Sequence, residues 1–178
     1  ARPIVVDARE VELAFSGVRA IDGVSLAVPE RALFAVIGPN CAGKTSLFNC
    51  ISGVYRPQAG SITFQGRPLV GMPPHRIAAL GVARMFQNLA LFDNLTVLEN
   101  LLVGRHHLYR TSLWGDLLWS RHTRAEEVRH RRRAEDVIDF MHLERYRRLP
   151  VGILPYGVRK RVELARALCM EPTLLLLD

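Results

Sequence analysis

The feature that most restricts this chain is the run Gly38-Pro-Asn-Cys-Ala-Gly-Lys-Thr45, followed by Ser46. It fits G-x-x-x-x-G-K-[ST], a loop whose successive backbone N–H groups surround a phosphate. Its flanks strengthen the match. Leu33-Phe-Ala-Val-Ile37 before it reads as a buried strand, and residues 46–51 behind it carry apolar side chains at helical spacing, closed by Gly53. Strand, glycine loop and helix, in that order, are the setting in which such a loop works. Gly38 and Gly43 are expected to let the backbone turn and approach a phosphate closely. Lys44 supplies a mobile point charge to the β- and γ-phosphates, the Thr45 hydroxyl is a magnesium ligand, and the positive end of the helix adds to both. The loop predicts a nucleotide site lined by Gly38, Pro39, Asn40, Cys41, Ala42, Gly43, Lys44, Thr45 and Ser46. The bland reading, a surface turn that happens to hold two glycines and a lysine, does not account for the flanks.

A second anchor stands at the other end. Leu174-Leu-Leu-Leu177-Asp178 is a buried strand pattern ending in a carboxylate, the Walker B arrangement, where the aspartate holds Mg²⁺ directly or through water. Ahead of the loop, alternation over 4–15 around Val11, Leu13 and Phe15, and again over 25–28, predicts antiparallel strands, with turn signals at Ser16-Gly17 and Asp22-Gly23. Phe15, at a strand end beside a glycine, could stack on an adenine or be an ordinary core residue; spacing leaves both open.

Behind the loop, Gln58-Ala-Gly60 predicts a turn, 61–64 a strand, 73–81 a short proline-led helix and 82–86 a second buried strand. Gln87 ends that strand, and ligands of open parallel sheets sit off carboxyl ends. Thr96-Val-Leu-Glu99 and Thr123-Arg-Ala-Glu126 are capping boxes. The first opens a helix through about Arg105. The second opens a long helix with Val128, Ala134, Val137, Ile138 and Met141 on one face. Residues 88–150 thus read as a helical insertion between two sheet strands. Its Trp114 and Trp119 suit a partner surface or packing within the insertion. The last helix, after Leu154-Pro-Tyr-Gly157, puts Val158, Val162, Ala165 and Cys169 on one face.

Composition narrows the classes. At 178 residues the chain is one domain, or one domain with an insertion. No apolar run approaches the ~18 residues of a membrane helix, and the first ten residues do not resemble a secretory signal. Cys41, Cys50 and Cys169 are scattered, as expected of reduced thiols in a cytosol. The net charge of +7 comes almost wholly from arginine, since Lys44 and Lys160 are the only lysines. Arginines crowd 121–148, but Glu126, Glu127, Glu135, Asp136, Asp139 and Glu144 interleave with them, which marks a solvated helix face rather than a nucleic-acid site. A chain that starts at Ala1 and stops at the last residue of a strand pattern is expected to be a fragment.

Together these motifs resemble the ATP-binding subunits of ABC transporters, and among them the ATPases of branched-chain amino acid importers. The resemblance spans the chain. Phe15 matches the adenine-stacking aromatic, 38–45 Walker A, Arg84-Met-Phe-Gln87 the Q-loop and 91–100 the segment facing membrane subunits. Residues 154–161 match the signature motif and 174–178 Walker B. The stretch 105–123 points to the branched-chain group. The resemblance implies an α/β fold: a P-loop NTPase core sheet with an N-terminal antiparallel β region and a helical subdomain insertion. Its divisions would be 1–87, 88–157 and 158–178.

The implied ligands are ATP and Mg²⁺, with Lys44, Gln87 and Asp178 catalytic and Thr45, Gln87 and Asp178 directed to the metal. The implied partners are a second ABC ATPase subunit, docked head to tail, and transmembrane permease subunits, at the cytoplasmic face of the inner membrane and without nucleic acid. Three departures stand out. Cys41 replaces the usual glycine; Pro155 and Val158 replace the signature serine and glutamine; the glutamate and switch histidine expected after Asp178 lie beyond the sequence. Pro155 removes the hydroxyl that in the family reaches the partner's γ-phosphate, and one backbone N–H. A nucleotide-binding module with little turnover therefore stays open beside the importer ATPase. An ABC ATPase of DNA repair or translation control should add a coiled coil or a tandem domain, and neither is seen. The 178 residues alone are expected to turn over no ATP.

Overall fold

The computed structural model describes residues 2–85, 91–105 and 121–178, the last stretch with side chains from Ala125 onward. The chain forms two compact units, residues 1–80 and 81–178. In the first, β1 (Ile4–Phe15), β2 (Val18–Pro29), β3 (Ala59–Phe64) and β4 (Arg67–Pro68) make an antiparallel sheet in the order β2-β1-β3-β4. Ser16 and Gly17, with φ of 46° and 87°, join β1 to β2 in a two-residue turn whose hand matches the strand twist.

Asp22-Gly23 does not turn the chain, contrary to expectation. β1 continues opposite it, so the extra residue becomes a bulge between the pairs Val11↔Val24 and Leu13↔Ile21. Gln58-Ala-Gly60 is likewise no turn, because β3 already starts at Ala59 against Glu12. A kink at Glu10 (φ 46°) resets the alternation of β1. Val6 and Ala8 before it, and Val11 and Leu13 after it, all reach the core. Helix α1 (Lys44–Ile51) buries Leu47, Cys50 and Ile51, and α2 (Pro74–Ala79) buries Ile77.

The strand expected at 33–37 is absent. Leu33 and Ile37 are 101% and 92% exposed, and no ladder includes them. An all-apolar strand is stable where neighbours pair both edges and layers cover both faces. The four-stranded antiparallel sheet of this unit supplies neither to 33–37.

In the second unit, β5 (Val82–Met85) and β6 (Leu174–Leu177) pair in parallel from Val82↔Leu174 to Met85↔Leu177. Parallel neighbours need a long crossover, and here it contains α3 (Val97–Gly104), α4 (Arg121–Phe140) and α5 (Tyr156–Cys169). Thr96 and Glu99 form the expected capping box on α3: Glu99 N–H donates to Thr96 Oγ1 (3.2 Å) and Thr96 N–H to Glu99 Oε2 (2.7 Å). Helix α4 already begins at Arg121, ahead of the expected cap at Thr123.

Its buried stripe is Glu126, His130, Ala134 and Ile138, at i,i+4 spacing, whereas Val128 faces solvent at 61% exposure. On α5, Val158, Val162, Ala165 and Cys169 do share the core face with Leu101, Ile138 and Val151. Asn100, fully buried on α3, spends its amide on the preceding loop. It accepts from Phe92 N–H (2.9 Å) and donates to the carbonyls of Phe92, Leu95 and Thr96. Trp114, Trp119 and Gln87 lie outside the described residues.

Candidate functional site

The loop at 38–45 closes onto α1 through Gly43, which caps the helix at φ 83° and offers no side-chain acceptor. A Cβ at this position would overlap the Ala20 carbonyl oxygen of β2. Glycine is thus required twice, by conformation and by contact. Gly38 is not constrained in this way: a Cβ there would meet only Ala42 Cβ, at 3.4 Å. The conformational need expected at both glycines is confined to Gly43. Cys41 has φ 65°, a left-handed conformation that costs a side-chain-bearing residue about 1–2 kcal/mol.

No side chain caps α1, and its N-terminus is the positive end of the helix dipole. Lys44 lies folded back on the loop, its Nζ donating to the carbonyls of Gly38 (2.8 Å) and Pro39 (2.6 Å). A cleft of about 230 Å³ runs beside it, bordered by Ile21, Val36, Ala42, Gly43 and Leu47. The loop therefore joins the positive end of a helix to a cation resting on neutral carbonyls. Such an arrangement suits an anion.

Phe15 stands at the tip of the hairpin whose Ala20 carbonyl touches Gly43. It is 45% exposed, which removes the core reading left open by spacing. In the second unit, Asp178 ends β6 and its Oδ2 accepts from Arg84 Nη2 at 2.8 Å, both side chains nearly buried. Sequence reasoning did not foresee this ion pair. Its partners are far apart in the chain and adjacent through the parallel register of β5 and β6.

A second unforeseen cluster ties α3 to α4. Arg105 is buried, its Nε–H donating to His130 Nδ1 (3.0 Å) and its Nη1 to the Cys169 carbonyl (2.6 Å) and Glu171 (3.2 Å). Glu126 lies 3.8 Å from the other His130 nitrogen, and Arg129 completes the charges around it. Burial first, then the Arg105 charge, push the His130 pKa below its ordinary value. A depressed folded value means that the histidine's contribution to stability is present above the ~6.5 of free histidine and is lost as pH falls from there through the folded value. The melting temperature should accordingly drop between about pH 7.5 and 5.5. His130→Gln keeps an acceptor for Arg105 without titrating and should flatten that slope; an unaltered slope would assign the acid sensitivity to other groups.

The ABC transporter family profile matches residues 21–178. The chain belongs to the ABC transporter family. It is an ABC ATP-binding subunit with the α/β fold of a P-loop cassette. It is 37% identical over 177 residues to the high-affinity branched-chain amino acid transport ATP-binding protein BraF of Pseudomonas aeruginosa, covering 99% of this chain and 69% of the relative. To LivG of Salmonella typhimurium, a protein of the same description, it is 40% identical over 164 residues, covering 92% and 64%.

Among solved structures it is similar to a nucleotide-free ATP-binding cassette from an ABC transporter, with TM-score 0.81 and 29% identity over 99% of this chain and 69% of that one. It is similar also to the ADP conformation of such a cassette, with TM-score 0.80 and 29% identity over 97% and 67%. The chain spans about two-thirds of the length of these relatives.

In this ABC subunit the signature segment opens α5. Pro155 is the N-cap and gives no side-chain hydrogen bond; Tyr156 is exposed, and Gly157 has open space where a Cβ would stand. Val158 turns into the helical core. Its departure from glutamine is therefore a matter of packing, whereas that of Pro155 is at the surface where a ligand could reach.

Proposed function

We propose that this ABC subunit binds and hydrolyses Mg·ATP to drive import of a branched-chain amino acid. It would act as one half of an ATPase pair beneath transmembrane permease subunits, at the cytoplasmic face of the membrane. The likeness to BraF and LivG supports the substrate class. The observation that carries the nucleotide reading is the Lys44 ammonium resting on the Gly38 and Pro39 carbonyls above an uncapped helix. In this mechanism Lys44 exchanges those carbonyls for β- and γ-phosphate oxygens, and the N–H groups at the start of α1 hold the β-phosphate. Phe15 offers its exposed ring to the base.

Thr45 and Asp178 bring hard oxygen donors, which suit magnesium, an ion that seldom takes an all-protein cage. No cluster of three or more His, Cys, Asp or Glu able to hold a metal occurs among the described residues. When bound, the ion would neutralise charge on the β- and γ-oxygens. Arg84 holds the Asp178 carboxylate at the end of β6; Gln87, outside the described residues, is assigned to the metal by its place in the sequence alone. No helix of the described residues is long and apolar enough to cross a membrane.

Cysteine labelling tests where the nucleotide sits. Cys41 is exposed in the loop, while burial pushes the thiols of Cys50 and Cys169 up to about 11 and about 12. The thiolate is the reactive form. Iodoacetamide should modify Cys41 first, and Mg·ATP should slow that modification. Equal rates at all three cysteines, or no protection by Mg·ATP, would remove the nucleotide from this loop. A second reading, nucleotide binding with little turnover, is favoured by the absence of a side-chain donor at Pro155.

A further inference from the structure

We propose that Tyr55 and Gln58, in the connector between α1 and β3, are positioning residues that hold Phe15 as the platform for the nucleotide base; this rests on the nucleotide site proposed above. The ladder between β1 and β3 ends where Gln58 N–H donates to the Glu12 carbonyl (2.9 Å). Two residues further along β1, on the same hydrogen-bonding edge, no strand among the described residues lies opposite Ala14 on that side. The Gln58 side chain takes the place of one. Its Oε1 accepts from Ala14 N–H and its Nε2 donates to the Ala14 carbonyl, each at 2.9 Å. One amide side chain thus supplies a full extra rung immediately before Phe15.

Tyr55 fixes the ring itself. Its centroid lies 5.0 Å from that of Phe15 at an interplanar angle of 70°, an edge-to-face pair that leaves a Phe15 face free. The Tyr55 backbone is in turn tied to α1, since the Asn49 carbonyl accepts the N–H groups of both Val54 (2.9 Å) and Tyr55 (3.1 Å). A continuous chain of contacts therefore runs from the helix that carries Lys44 and Thr45, through Tyr55, to Phe15. Gln58 closes it from the strand side. The connector sets the span between triphosphate and base.

The experiment compares Mg·ATP with Mg·tripolyphosphate, which has the phosphates and no base, as ligands of the full-length chain. Tyr55→Ala and Gln58→Leu should each weaken ATP binding by about two- to tenfold, the size of one aromatic pair or of one to two hydrogen bonds. Tripolyphosphate affinity should not change, and Tyr55→Phe, which keeps the edge contact, should behave as the parent. Parallel loss of both ligands would make the two residues merely structural, and undiminished ATP affinity would leave Phe15 independent of them; either overturns the proposal. Lys44→Ala separates this from the underlying reading, because retention of both ligands in that variant would remove the phosphate site itself.

Discussion

Pro155→Ser is expected to raise the turnover of the assembled transporter by up to about 10²–10³-fold, the rate carried by one donor aimed at developing charge in comparable sites. Pro155 caps α5 with φ −57° and ψ 148° and without a side-chain hydrogen bond. Serine fits that backbone, and its hydroxyl can do two things at once. The oxygen accepts an N–H of the first turn, worth about 0.5–2 kcal/mol of stability. The proton remains free to donate outward, toward the γ-phosphate that the opposing subunit of the proposed ATPase pair would hold. Pro155→Asp separates the two effects, since a carboxylate caps the helix but donates nothing. The aspartate variant should therefore melt higher without gaining rate, and the serine variant should gain both. A serine variant no faster than the parent would mean that another group, such as the exposed Gly157 N–H, already fills the role.

What was legible in the sequence was what short-range chemistry decides. The Ser16-Gly17 turn, the Thr96–Glu99 box and the apolar face of α5 each depend on residues within a few positions of one another, and each stands in the structure. The turn signal of Asp22-Gly23 was overridden because β1 continues opposite and converts it to a bulge. The segment 33–37 carries a strand pattern but no partner in its unit, and propensity alone does not bury a strand.

Helix α4 shows a different limit. Val128 is apolar yet exposed, while polar Glu126 and His130 are buried, because Arg105 on another helix satisfies His130. In the candidate site, the loop glycines, Lys44 and Thr45 could be named from spacing. The Arg84–Asp178 pair and the Gln58 rung could not, since both join residues brought together only by strand register. Asn100 left one readable trace, a lone amide inside Val97-Leu-Glu-Asn-Leu-Leu.

The second large effect is at Lys44. Its ammonium makes its contacts through two carbonyls of the loop it belongs to, so removing it leaves only exposed carbonyl groups that water can satisfy. The fold should survive Lys44→Ala. Phosphate binding should not, because a charge-assisted contact contributes roughly 1.5–3 kcal/mol. At about 1.4 kcal/mol per decade, the loss in Mg·ATP affinity is about ten- to hundredfold. The decisive measurement is a calorimetric titration of Mg·ATP into the full-length subunit and its Lys44→Ala variant, at matched melting temperature. The parent should bind saturably and the variant should lose affinity by about that factor; equal affinity in the two proteins would show that Lys44 does not hold the phosphates.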